Sequence, residues 1–103
     1  WALVANELAW IRSTCPQPAY RNAAEAVQLA EEANRRTRHQ IPEFLDTLAA
    51  AYAEAQAWPR AISTAELAIR LASEQEQTDS LPDMRKRLEN YRQQRPWREL
   101  TVR

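Results

Sequence analysis

Residues Leu45–Ala72 read LDTLAAAYAEAQAWPRAISTAELAIRLA. No side chain in this stretch does obvious chemistry. Alanine dominates it, and leucine, isoleucine and two aromatics recur at fixed distances. Apolar residues three and four positions apart mark two amphipathic helices. Pro59 separates them, and proline suits the first turn of a helix, where an N–H has no partner to lose. The stretch predicts a helical hairpin, with one helix over Pro42–Ala55 and the next from Pro59 to Glu74. The alanines have a packing reason. Two helices reach the close end of the roughly 8–10 Å range of separations only where facing side chains are small. Ala61 and Ala68 are expected to lie against Leu48, Ala49 and Tyr52, while Ile62, Ile69 and Leu71 fill the space toward a neighbouring pair.

Working outward, Trp1–Arg12 carries apolar residues at 1, 4, 8 and 11, one face of a helix. Pro16 and Pro18 stop it. Asn22 followed by Glu25 reads as a capping box, and the helix it opens runs to Thr37, with Glu31–Arg35 and Glu32–Arg36 at i,i+4. His39–Pro42 ends that segment. Glu66–Arg70 is a further i,i+4 pair. After the polar break SEQEQTDS, Ser80 and Asp83 form a second capping-box-like start. Leu81, Met84, Leu88 and Tyr91 line a fifth helix.

Composition narrows the functional classes. The 103 residues suit one domain. Fourteen basic and 14 acidic residues balance, which by itself favours neither nucleic acid nor a membrane surface. Glycine is absent, so glycine-dependent phosphate loops are excluded. A single cysteine, Cys15, excludes an internal disulfide. No apolar run approaches the roughly 18 residues of a membrane span. Trp1 at the first position suggests a piece of a longer protein. The one histidine, His39, has no second histidine beside it, and a metal site needs three or four convergent ligands. His39 reads as a helix-end residue and Cys15 as a small, partly buried one. No catalytic residue, metal or cofactor is expected.

The sequence matches itself at a shift. Ala26, Ala30 and Ala33 fall on Ala61, Ala65 and Ala68, 35 positions on, and Val27 falls on Ile62. Leu8 and Ala9 fall on Leu48 and Ala49 at a shift of 40, the extra residues lying around CPQP. In these residues the chain resembles the tetratricopeptide repeat family. Leu45, Leu48, Ala49, Tyr52, Ala61 and Ala68 fit its motif, whereas Ala65 stands where a large residue is usual, Gln56 where the turn has glycine, and Arg12 where tyrosine is usual. More narrowly, NELAWIRSTCPQP, AEAVQLAEEA, LDTLAAAYAEA and LENYRQQRPWRE resemble the last repeats of large bacterial proteins of the family.

The resemblance implies an all-α, helical-hairpin α-solenoid: repeat 1 over 1–38, repeat 2 over 41–75, a capping helix over 80–93 and a C-terminal tail over 94–103. Gln56 is then expected at positive φ. The resemblance also implies a non-catalytic module, a scaffold that binds a peptide or partner domain on a concave face. Leu3, Asn6, Glu7 and Trp10 would face that groove from the first helix. Glu43, Asp46, Thr47, Ala50 and Glu54 would face it from the third, and Lys86, Arg87 and Asn90 from the fifth. Some relatives clamp a peptide's terminal carboxylate there. Asp46 opposes that, so the expected ligand places an apolar residue against Trp10 and a basic one near Asp46 and Glu43. Trp58 and Trp97 are expected in or near the core.

Two alternatives stand beside this reading. One is a structural end-cap of a larger enzyme with no ligand of its own. The other is a nucleic-acid-binding repeat using the basic fifth helix, since residues 1–80 hold 7 basic and 11 acidic side chains and residues 81–103 hold 7 and 3. Self-association is also expected, through Trp1 and Val4 on the uncovered first helix pair. A cytoplasmic location is the default, with a membrane-tethered parent left open.

Overall fold

A computed structural model describes residues 1–99, and positions 100–103 of the expected tail lie outside the described residues. Among the described residues there are five α-helices and no strand: α1 (Ala2–Thr14), α2 (Ala23–Arg36), α3 (Pro42–Glu54), α4 (Trp58–Glu74) and α5 (Leu81–Arg92). Short 3-10 turns occupy Pro18–Tyr20 and Thr78–Ser80. Each helix packs against the next in sequence, and α1 also lies along α3. The third helix is the centre, with ten of its 13 residues buried. None of the helices among the described residues is long and apolar enough to cross a membrane.

The alanines are buried as their spacing predicts, and Ala61 meets Ala49 and Tyr52. Ala68, however, clusters with Leu45, Leu81 and Met84, and Leu48 with alanines of α1 and α2. Ala26, Ala30 and Ala33 on α2 and Ala61 and Ala68 on α4 have no accessible surface, and Ala65 has almost none. Ala9 on α1 and Ala51 on α3 join Ala26 and Ala30 in one cluster. Ala49 and Ala53 join Ala61, Ala65, Leu88 and Tyr91 in another, with Ile62 and Trp58 packed against it. Methyl groups at these contacts let the backbones close together, so a longer side chain would force the helices apart.

Helix starts follow the residues. Asn22 Oδ1 accepts the Glu25 N–H at 3.0 Å, and prolines sit in the first turns of α3, α4 and α5. Ser80 is a correction. It makes no side-chain cap, because the turn Thr78–Ser80 already has helical backbone at Ser80 and runs straight into α5. Two of the local ion pairs give way to tertiary partners. Glu31 accepts the Tyr52 hydroxyl at 2.7 Å, and Glu66 pairs with Arg92 at 3.2 Å. Glu32 does hold Arg36 at 2.9 Å, and Arg35 as well. A buried asparagine that the sequence did not single out, Asn34, ties α2 to α3 by donating to Ala30 O at 2.8 Å and Phe44 O at 2.9 Å.

Helix ends show how a chain without glycine stops a helix. Arg38, Gln56, Glu76 and Gln94 have φ of 60°, 61°, 58° and 57°, each just past the end of α2, α3, α4 or α5. The residue after each donates its N–H to the carbonyl five positions back: His39 to Asn34 O, Ala57 to Tyr52 O, Gln77 to Ala72 O and Arg95 to Asn90 O. These are Schellman closures, which usually place glycine in the left-handed position. His39 is itself left-handed at 57° and exposed, a helix-end residue as expected.

Candidate partner-binding face

α1 ends differently. Cys15 precedes Pro16 and is extended (φ −59°, ψ 130°), so no left-handed closure forms. The last four carbonyls of a helix lack intrahelical partners. Here Ile11 O accepts Cys15 N–H, Arg12 O accepts Asn22 N–H at 2.8 Å, and Thr14 O accepts Glu99 N–H at 2.9 Å. Ser13 O accepts from Arg98 Nη1 at 3.3 Å. Residues from beyond α5 therefore complete the end of α1.

That segment crosses the face shared by α1, α3 and α5. Arg98 Nη1 lies 2.8 Å from Glu54 Oε1 at the end of α3, and Arg21 Nε lies 3.4 Å from the same carboxylate. Arg21 also donates to Cys15 O at 2.7 Å. Trp97 packs on the cluster of Ala49, Leu88 and Tyr91. The Arg87 guanidinium carbon lies 5.3 Å from the Trp10 ring centre and 5.6 Å from that of Trp97, within cation–π range of both. Arg87 grips Asp46 with two nitrogens, Nε to Oδ1 at 3.0 Å and Nη2 to Oδ2 at 2.7 Å. This fork geometry is the strong form of an ion pair.

Of the residues named for the groove, Trp10, Asp46 and Arg87 are brought together, and Glu54 joins them through segment 95–99. Asn6, Trp10, Asp46, Thr47, Ala50 and Arg87 are buried, Trp10 to 4% exposure. Glu43, Glu54 and Asn90 are half-buried, and Leu3, Glu7 and Lys86 are exposed. Two expectations change accordingly. Asp46 faces a basic group, but Arg87 of the same chain supplies it. Trp10 presents no open ring, because it is buried and Arg87 lies in cation–π range of it. Asn6 Oδ1, Tyr91 Oη and Trp97 Nε1 are buried without a hydrogen-bond partner among the described residues. Burial pushes the Tyr91 hydroxyl pKa far up, and the Asp46 charge adds to the rise. Desolvation first, then the bond to Glu31, pushes Tyr52 up to about 12.

A second surface stands open on α1. Trp1, Val4, Leu8 and Ile11 are 62%, 71%, 36% and 48% exposed, a continuous apolar stripe by helical spacing. Arg36 covers one end, 4.4 Å over the Trp1 ring. Elsewhere a shallow cleft lined by Glu43 and Glu76–Ser80 is acidic and polar, yet no three metal-ligating groups converge among the described residues. No protein-family model matches the chain, and no curated protein or solved structure shows significant similarity to it.

Proposed function

We propose that this chain is a helical-repeat interaction module of tetratricopeptide type, and that it binds a protein segment on the face shared by α1, α3 and α5. The observation that carries the reading is the matched burial of Ala26, Ala30 and Ala33 with Ala61, Ala65 and Ala68, two sets 35 positions apart that are all buried. The packing of α1 along α3 supports two hairpins built on one plan, with their first helices side by side. The Arg87–Asp46 pair then joins α5 to that layer. In this reading the open stripe of α1 is where a preceding hairpin, or a second copy, would pack. The basic character of residues 81–99 has an internal explanation. Arg87, Arg92 and Arg98 pair with Asp46, Glu66 and Glu54, which supports a charge complement to the acidic body over a nucleic-acid surface.

The test is selection of binders from a random peptide library, followed by mapping of the bound surface from amide shift changes. Shifts are expected on α1, α3 and α5 around Glu7, Asp46 and Asn90. Peptides that map to α2 and α4 instead, or a library that yields none, would sink the reading.

A further inference from the structure

The face at the end of α1 is built to accept hydrogen bonds and cations. Ser13 O and Thr14 O point out of the last turn of a helix, where the backbone dipole is negative. The Glu54 carboxylate lies beside them, bridged to Ser13 O by one guanidinium. Next to this acceptor patch, the Arg87 guanidinium lies within cation–π range of both the Trp10 and the Trp97 rings. A ligand that fits must offer an indole, a cation one residue further on, and a backbone N–H after that. Residues Trp97, Arg98 and Glu99 offer these groups in that order. A free carboxylate does not fit, because it would meet Glu54 and two carbonyl oxygens.

The fit of this resident segment is incomplete. Trp97 Nε1 and Tyr91 Oη stay buried without partners among the described residues, and so does Asn6 Oδ1, one turn before Trp10. Trp97, Arg98 and Glu99 are only half-buried. Groups that are desolvated and unsatisfied weaken an occupant relative to one that reaches them.

We propose that this face is a recognition site for a tryptophan–arginine segment of a partner protein, and that residues 97–99 occupy it as an internal competitor. The proposal rests on the interaction-module reading and adds the chemistry of the partner and the means by which the site is closed. A tethered competitor has an effective concentration of order millimolar, so it masks the site from all but a tighter segment or one present at high concentration.

The experiment uses the full chain carrying Trp97→Ala and Arg98→Ala, which empties the site and leaves its walls intact. The probe is a labelled peptide with the sequence of residues 95–99, followed by fluorescence anisotropy. The double variant is expected to bind it at least about tenfold more tightly than the unaltered chain does. Peptides with alanine for the tryptophan, or glutamate for the arginine, should lose that affinity. A second variant, Glu54→Arg in the emptied chain, should reverse the preference and favour the glutamate peptide. A folded double variant that binds the probe no better than the unaltered chain would overturn the proposal. So would loss of helical circular dichroism in the double variant, since the segment would then be a structural clasp and not a displaceable occupant. If the emptied chain binds library peptides of other chemistry on this face but not the probe, the partner chemistry is wrong and the module reading stands. If it binds nothing, both fall.

Discussion

The four left-handed closures set a measurable stability reserve. A residue with a Cβ at positive φ is strained by roughly 1–2 kcal/mol, whereas glycine is not. Glycine returns roughly 0.5–1 kcal/mol of that through its greater freedom in the unfolded chain. Gln56→Gly should therefore stabilise by about 0.5–1 kcal/mol. Glu76 carries an extra term. It places a negative charge just past the end of α4, whose last turn has no basic residue, and such a charge is unfavourable there by roughly 0.3–1 kcal/mol. Glu76→Gly should gain about 1–2 kcal/mol, and Glu76→Gln only the charge part. Successive antiparallel helices put the two sites at opposite ends of the molecule, so their effects should add. The sum of about 1.5–3 kcal/mol corresponds to a rise in Tm of roughly 6–24 °C for a domain of this size. Thermal and urea melts followed by circular dichroism read it directly. Ser63→Gly, on the exposed side of α4, is the control and should lose a few tenths of a kcal/mol. A Gln56→Gly variant that melts lower, or Glu76→Gln matching Glu76→Gly, would refute the strain argument.

Further expectations concern charge, pH and association. Asp46→Ala should cost about 3–5 kcal/mol, because it strands a buried guanidinium; a urea melt that shows a loss under about 1 kcal/mol would mean the pair is solvated. Tyr52 and Tyr91 resist ionisation when folded, so the folded state holds their protons where the unfolded chain, with the ordinary value of 10.0, releases them. The contribution of these two tyrosines should be flat below about pH 10 and fall as pH rises above it, with Tyr52 contributing up to about 12. Tyr91→Phe should flatten part of that fall at little loss near neutrality, as chemical melts across the alkaline range would show. Concentration-dependent self-association is expected from the open stripe of α1, and Val4→Glu with Leu8→Glu should abolish it in sedimentation velocity. A chain that sediments as a monomer at every concentration would contradict this.

Local features were legible in the sequence. Asn22 with Glu25, and the prolines at 42 and 59, placed three helix starts correctly or within a residue or two. The alanine spacing gave the burial of those residues, and the missing glycine gave the left-handed Gln56. What escaped was tertiary. An i,i+4 ion pair is worth only roughly 0.2–0.5 kcal/mol, so Glu31 and Glu66 turned to Tyr52 and Arg92 instead. Asp46 and Arg87 were both named, but 41 positions separate them and no periodicity connects them. Segment 95–99 has no helical pattern at all. Its one signal was indirect: Cys15–Pro16 denies α1 a Schellman closure, and something must satisfy Ser13 and Thr14.

The contact between Arg98 and Ser13 spans 85 positions of the chain, far more than the neighbour-to-neighbour packing of the helices. A stack of helices held only by adjacent contacts peels from whichever end is tugged. Here the outermost helix is fastened to the segment beyond the last one. Tension applied between them loads the Thr14–Glu99 hydrogen bond and the Arg98–Glu54 pair before it reaches any helix interface. Under a slow force ramp the molecule is expected to behave like a strap with a fuse: one small early extension as the fastening lets go, then a separate, larger yield as the helices part. On relaxation the order reverses, and closing so long a loop is the last thing the chain does.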